Sequence, residues 1–353
     1  ISGLVGSEMC IRDRSKISLV LIYLVIIAGS TVRMTGSGMG CPDWPKCFGY
    51  LIPPTHNKQL LFKTNHEYKK GMMILKNSEK FMVAKEDFTS NDKYIDENWK
   101  TYSTHDYVYY DPVHTWIEYL NRLLGALSGI PILILAIWSI WFFKENFWIT
   151  CTAFLTLLGI LFQAWLGKTV VDSNLSPYKI TFHMVMALLI VYQILYLIFA
   201  TKTTFKTQKY SKLFYKILCY GIILSLFQII LGTQVREFID EQTKIIGYDK
   251  TLWLDSPKLN FYIHRSTSIL VLLLNGYLWF YNKKYKLGFK KFDLLIVCIG
   301  MEILTGVMMY YFDFPFLSQP SHLIIASIMI GIQTYILFEL RHVKKMIKIN
   351  DVL

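Results

Sequence analysis

Apolar blocks about 20 residues long recur along this chain, and they constrain its fold more than any other feature. At about 1.5 Å of rise per residue, each block is long enough as a helix to cross a hydrocarbon core of about 30 Å. Eight such stretches lie at 17–34, 113–142, 148–167, 179–200, 212–234, 259–281, 291–310 and 320–338. A chain patterned this way is an all-α polytopic membrane protein. Only 18% of its residues are charged, against about a quarter in soluble domains, which excludes a soluble enzyme.

The net charge of +12 raises the question of a nucleic-acid partner, and the placement of the charges removes it. Lys202, Lys206, Lys209, Lys212 and Lys216 lie around the junction of spans 4 and 5 with no acid among them. Lys283, Lys284, Lys286, Lys290 and Lys291 do the same between spans 6 and 7, and Arg341, Lys344, Lys345 and Lys348 follow span 8. Segment 35–112, in contrast, has ten Lys and ten acids, and 235–258 has four basic and five acidic residues. The positive-inside rule places both termini and the Lys-rich loops in the cytoplasm. Segments 35–112, 168–178, 235–258 and 311–319 then lie outside. Residues from Ile1 to about Arg14 read as neither a signal peptide nor a helix start, and are set aside as a cloning or read-through remnant.

The two halves repeat. Gly29-Ser-Thr-Val-Arg33 in span 1 matches Gly232-Thr-Gln-Val-Arg236 in span 5, and Tyr119-Leu-Asn-Arg122 in span 2 matches Tyr262-Ile-His-Arg265 in span 6. Gln163, Gly167 and His183 match Glu302, Gly306 and His322 at a constant offset of 139. Order and helix parity are kept, so the expected architecture is eight transmembrane helices in two pseudo-symmetric four-helix bundles. The expected divisions are 1–16 (a cytoplasmic segment), 17–200 (the first bundle, containing the long outside loop 35–112), 201–211 (a linker), 212–338 (the second bundle) and 339–353 (a basic tail).

His114, His183, His264 and His322 fall in the first turns of spans 2, 4, 6 and 8, which all enter from outside. Imidazoles inside spans are costly, and facing pairs in a bundle suit haem iron, so these four are the candidate metal and cofactor ligands. The plain alternative for each is a packing or interfacial histidine. His56, His66 and His105 in the long outside loop read as solvated, and that loop, lacking a strong apolar period, reads as loosely packed.

Glu118 stands one turn after His114 and one turn before Arg122, on one helix face. Its repeat partner is Phe261, so one half has a carboxylate beside its site and the other does not. A catalytic carboxylate and an ion pair with Arg122 are both open. Glu302 reads as a helix-packing group rather than a second catalyst. Arg33, Arg122, Arg236 and Arg265 are candidate partners for haem propionates, or interfacial anchors.

Cys41 and Cys47 close a short turn on the outer side, where a disulfide is expected rather than a free dithiol or metal pair. Cys10 is cytoplasmic, and Cys151, Cys219 and Cys298 read as small buried hydrophobes.

On these residues the chain resembles the haem A synthase family, from Gly29 to about Phe338. The loop from Arg33 through Cys41-Pro-Asp-Trp-Pro-Lys-Cys47 is similar to the family's first outside loop, and Glu118-Tyr-Leu-Asn121-Arg122 is similar to its Glu-x-x-His-Arg motif. The resemblance implies an oxidoreductase that converts the C8 methyl of haem O to the formyl group of haem A for haem-copper oxidases. It implies a resident haem b on His264 and His322, Glu118 as the catalytic carboxylate on the substrate side, and a disulfide between Cys41 and Cys47. Implied partners are the substrate haem O, the lipid bilayer, a haem O synthase, oxidase assembly factors and an unidentified electron acceptor.

One departure stands out: the family's span 2 histidine is Asn121 here. His114 lies about 10 Å earlier along the helix, so either it replaces that ligand or His183 binds iron alone in this half. The competing classes are a bis-His cytochrome that relays electrons without modifying haem, and a haem exporter or small-molecule transporter. The latter predicts paired Gly/Pro breaks in interior spans, which the sequence lacks.

Overall fold

The computed structural model describes residues 2–76, 80–104, 109–173, 175–247 and 249–350. Eight long helices dominate it: α1 (Ser2–Met34), α2 (Pro112–Ser139), α3 (Phe147–Asp172), α4 (Pro177–Ala200), α5 (Lys212–Ile246), α6 (Leu259–Lys284), α7 (Lys291–Tyr311) and α8 (Ser318–Asn350). Seven are long and apolar enough to cross a membrane. The exception is α6, whose polar run of His264, Arg265, Ser266, Thr267 and Ser268, with Asn275 further on, lowers its hydropathy. The chain is a helical polytopic membrane protein. Its outward faces confirm the solvent: Leu155, Leu158 and Leu161 on α3 are each more than half exposed, which only lipid makes favourable.

The chain divides into two compact units. The first comprises Ile1–Ile27, Leu127–Gln163 and Pro177–Leu353. Within it α5 packs on α6, α6 on α7, α7 on α8 and α8 back on α5, closing a four-helix ring that α4 joins through α5 and α8. Phe214, Leu218, Leu278, Phe292, Leu295 and Ile336 fill its core. Polar groups in that interior find each other: Gln333 of α8 donates from Nε2 to Asn275 Oδ1 of α6 at 2.9 Å. Asn282 holds the turn after α6 by accepting from Phe289 N and donating to its carbonyl.

Helix ends depart from the sequence expectation in one direction. α1 already runs from Ser2, where no helix start was expected; α5 continues to Ile246 rather than stopping near 234; α8 continues to Asn350, so most of 339–353 is helix rather than a separate tail. The extensions are polar, so they carry no hydropathy signal, yet nothing in them breaks a helix until Gly247, whose φ of 83° ends α5.

The second unit comprises Ala28–Ala126 and Ala164–Ser176. Here the expectation of a loosely packed loop fails. Strands β1 (Glu67–Tyr68), β2 (Met73–Lys76), β3 (Lys80–Ala84), β4 (Phe88–Thr89) and β5 (Trp99–Thr101) form an antiparallel sheet of order β2-β3-β5 and a separate β1-β4 pair. Alternate residues of β3 point to opposite faces. Phe81 and Val83 join Phe48, Leu60, Met73, Cys41 and Cys47 on one side; Met82 and Ala84 join Tyr68, Ile74 and Trp99 on the other. Both faces are covered, so the strand shows no apolar/polar alternation, and that is why periodicity missed it. Of its histidines, His56 is exposed, His66 packs edge-on to Tyr68, and His105 lies outside the described residues.

Trp99 contacts Tyr68, Phe88, Tyr94 and Phe62 at centroid distances of 5.0, 5.3, 6.0 and 6.5 Å. Trp99→Ala is expected to cost about 3–5 kcal/mol. It should open residues 48–104 to added protease while leaving the helical circular dichroism unchanged; unaltered protease resistance would count against a ring-centred core.

Candidate functional site

In the second unit, α2 begins at a proline, and Asp111 Oδ1 accepts from His114 N at 2.9 Å as an N-cap. The helix then carries His114, Glu118 and Arg122 four residues apart, on the shared face expected. Glu118 is only 3% exposed. Its Oε2 accepts from Cys41 N at 2.8 Å, and its Oε1 pairs with Arg122 Nη2 at 2.5 Å. Arg122 also donates to the carbonyls of Asp43 (2.6 Å), Lys46 (3.0 Å) and Cys41 (3.1 Å). Its guanidinium therefore orients the 41–47 loop and Glu118: the ion pair that the sequence left open is present, and a propionate would have to displace bonds that both terminal nitrogens already make within the protein.

The disulfide between Cys41 and Cys47 is present. Asp43 knits the loop by accepting from Phe48 N (2.6 Å) and Gly49 N (2.8 Å), and burial pushes its carboxyl above the usual range. Gly40 is required by proximity: a Cβ there would stand 2.4 Å from His114 O. Thr115 Oγ1 fixes the same approach by donating to Gly40 O at 2.8 Å. Together these contacts cover Glu118 with a rigid backbone loop.

His114 Nδ1 lies 3.1 Å from Ser37 Oγ, which bonds Thr35 Oγ1 at 2.6 Å. The ring is thus held at the start of α2, two turns before Asn121. Asn121 stands against Gly29, whose Cβ would lie 3.7 Å from Asn121 Oδ1, and that oxygen is buried without a hydrogen-bond partner.

In the first unit, His264 stands against Gly232 in the same manner, with 3.2 Å from a Cβ there to His264 Cε1. The sequence repeat is therefore also a repeat of contacts, with Asn121 on Gly29 matching His264 on Gly232. The rings of His264 and His322 meet across α6 and α8 with centroids 6.3 Å apart and their planes at 69°. His322 Nδ1 is held by Thr305 Oγ1 at 2.8 Å and Glu302 Oε2 at 3.1 Å, which leaves its Nε2 free of those partners. Gln228 Nε2 donates to His264 O at 2.7 Å and its Oε1 accepts from Thr267, so two α5 residues, Gln228 and Gly232, seat this histidine. His183 is placed on α4 by Gln163, which donates to its carbonyl at 2.9 Å, and His183 Nδ1 is buried without a partner.

The pair fits a haem iron. Two imidazoles bound to one metal through nitrogens at about 2 Å have ring centroids about 6 Å apart, near the distance seen. The carboxylate behind His322 is the partner that the second ring nitrogen of a metal-bound histidine takes, and His264 Nδ1 is buried with no protein partner.

The family described as cytochrome oxidase assembly protein matches residues 15–87 and 92–334. The chain belongs to this family. A protein named heme A synthase from Ehrlichia canis is 24% identical over 355 aligned positions, covering 94% of this chain and 92% of the relative. The protein of that name from Rickettsia prowazekii is 22% identical over 344 positions, covering 90% and 93%. That from Shewanella oneidensis is 27% identical over 169 positions, 48% of this chain and 39% of its own.

For this member of the family, the sequence reading missed Gln228, Thr267, Thr305 and Asp43, and it gave Glu302 a packing role without naming His322 as its partner. Helical spacing held a signal for two of them: Gln228 is four residues before Gly232, and Thr305 is three after Glu302. The remaining arginines separate: Arg236 is bonded to Asp240 at 2.7 Å and to Gln319, whereas Arg265 is exposed and lies 5.9 Å from the Tyr262 ring and 6.0 Å from that of Phe261.

Gly40→Ala is expected to push the 41–47 loop off α2 and break the Cys41 N–H bond to Glu118. Alkylation of Cys41 and Cys47 after mild reductant, slow in the parent, should become fast. A rate equal to that of the parent would show that the loop tolerates the methyl group and that the close approach is not essential.

Proposed function

We propose that this chain is a haem A synthase. The observation that carries the reading is the pair His264 and His322, backed by Glu302, inside a bundle of the cytochrome oxidase assembly family whose similar relatives have that name. The finer reaction is the oxidation of the C8 methyl of haem O to the alcohol, with water as the oxygen donor, and then to the aldehyde, each step passing two electrons to an external acceptor and releasing two protons.

His264 and His322 are the residues that would hold a resident haem b, which supplies one-electron chemistry when bound. Glu118 is the proposed catalytic carboxylate, receiving a proton at Oε1 or Oε2 as the methyl and then the alcohol lose hydrogen. Arg122 and the Cys41 amide fix both oxygens, so the proton acceptor is oriented by the disulfide loop. His183 and His114 are proposed ligands of the substrate haem on sequence grounds. Of these, His183 with its unpartnered Nδ1 is favoured, since Ser37 already engages His114. Arg265, exposed beside His264, is the favoured propionate partner, and Arg33 is a further candidate. Haem O approaches through the bilayer of a bacterial plasma membrane, with both termini of the chain in the cytoplasm. A haem O synthase and oxidase assembly factors are the partners this activity implies.

The test is to express the protein with a haem O source and separate its extracted haems by reversed-phase chromatography with mass detection. Haem B together with haem A or the alcohol is expected. Glu118→Gln should keep its haem while losing about 10²–10⁴-fold in formyl product. Haem B alone, with haem O untouched, would favour an electron-relaying cytochrome.

Glu302→Gln tests the resident haem apart from turnover. Loss of the carboxylate behind His322 should weaken haem b retention by about 10–100-fold and raise its midpoint potential. An unchanged potential and dissociation rate would remove Glu302 from the haem b site.

A further inference from the structure

Beside lysines such as Lys286 and Lys290, which among the described residues neither pair with an acid nor line a cavity, two groups of lysines stand out at one end of the first unit. In the first group each ammonium meets an acid. Glu339 Oε1 lies 2.6 Å from Lys291 Nζ and 3.7 Å from Lys202 Nζ, and Lys283 reaches Asp293 at 2.8 Å. In the second group, Lys212, Lys216, Lys344 and Lys348 have no ion-pair partner among the described residues, and all four line one cavity of about 410 Å³ with Tyr210 and Tyr215.

The cavity is built by helical spacing. Lys212 and Lys216 are one turn apart at the start of α5, and Lys344 and Lys348 one turn apart near the end of α8, so each pair shares a face. Lys344 Nζ lies 5.5 Å from the Tyr215 ring and 5.9 Å from the Tyr210 ring, which draws it over the opening.

Ordinary preferences explain half of this. Lysines at the end of α8 complement the negative pole of that helix, but Lys212 and Lys216 sit at the positive pole of α5, where cations are disfavoured. The positive-inside rule accounts for lysines on this side, yet not for four of them converging on a cavity whose lining has no acid. Like charges held together in this way call for a polyvalent anion, and ammonium groups suit phosphate oxygens.

We propose that this cavity binds an anionic phosphate group, supplied by the headgroup of an acidic phospholipid or by free phosphate. The lipid source rests on the topology proposed above, in which this end faces the cytoplasmic leaflet; the phosphate site itself does not. The two tyrosines stand where interfacial aromatic residues meet headgroups, which favours the lipid.

The full-length protein in detergent would be titrated with phosphatidylglycerol, phosphatidylcholine and inorganic phosphate, and bound adducts counted by native mass spectrometry. Phosphatidylglycerol is expected to bind in preference to phosphatidylcholine. The double variant Lys216→Gln/Lys344→Gln should weaken it by about 10–30-fold. All the substituted lysines in this test are exposed, so the fold should be unaffected. The control Lys286→Gln/Lys290→Gln removes two nearby lysines outside the cavity and should leave binding unchanged. Retention of inorganic phosphate alone, lost in the first variant, supports the site and assigns it to the free ion. Equal weakening in both double variants, or no anion preference in the parent, would overturn the proposal.

Discussion

Hydrocarbon offers no hydrogen bonds, and that constraint shapes nearly everything in this molecule. Backbone groups must close on themselves, which makes every apolar block a helix. Polar side chains inside the spans are costly, and those that pair with one another mark contacts between helices. Asn275 meets Gln333 across α6 and α8, Gln228 meets the His264 carbonyl across α5 and α6, and Glu302 meets the His322 ring across α7 and α8. The C-terminal ring of helices is thus held in register by few but specific bonds, two of which converge on the histidine pair.

The repeat shows how one scaffold can support two unequal sites. Gly29 with Asn121 and Gly232 with His264 use the same close approach of a helix backbone to a side chain, but only one of those side chains is an imidazole. Where the second half has Phe261, stacked on Tyr310, the first has Glu118 under the disulfide loop. A carboxylate that accepts from both an arginine and a main-chain amide has little freedom to turn, so whatever it acts upon must come to it. Rigidity in the loop becomes precision at the carboxylate, and the disulfide and Gly40 serve that end.

How much of this was legible depended on where the information lay. The eight helices, the Glu118 face and the Cys41–Cys47 bridge were readable because each rests on spacing along one helix or within one short loop, whereas the pairing of His264 with His322 joins two helices and came only from the family resemblance. Helix ends were not, because the extensions of α5 and α8 are polar and hydropathy ends where lipid ends. The sheet of the second unit escaped because β3 buries Phe81 and Val83 on one face and Met82 on the other, leaving no alternation to find. The sequence left Arg122 open as an ion-pair partner, a propionate partner or an interfacial anchor because carbonyl acceptors in a loop have no sequence signature. Thr305 and Thr267 escaped for a similar reason, since a hydroxyl in a helix usually bonds its own backbone.

The length of α5 has a consequence of its own. Its 35 residues amount to about 52 Å at about 1.5 Å each, whereas the hydrocarbon is about 30 Å thick. Gly232, against which His264 rests, is about 21 Å below the Ile246 tip by the same measure. The overhang is braced by Arg236 on Asp240, by Phe238 and Ile239 packed with Trp253 and Phe314, and by Lys250 donating to Phe314 O at 2.9 Å. His264 therefore rests where the apolar part of α5 gives way to a polar extension, and that extension is ordered by packing on neighbouring segments rather than left as a free helix end.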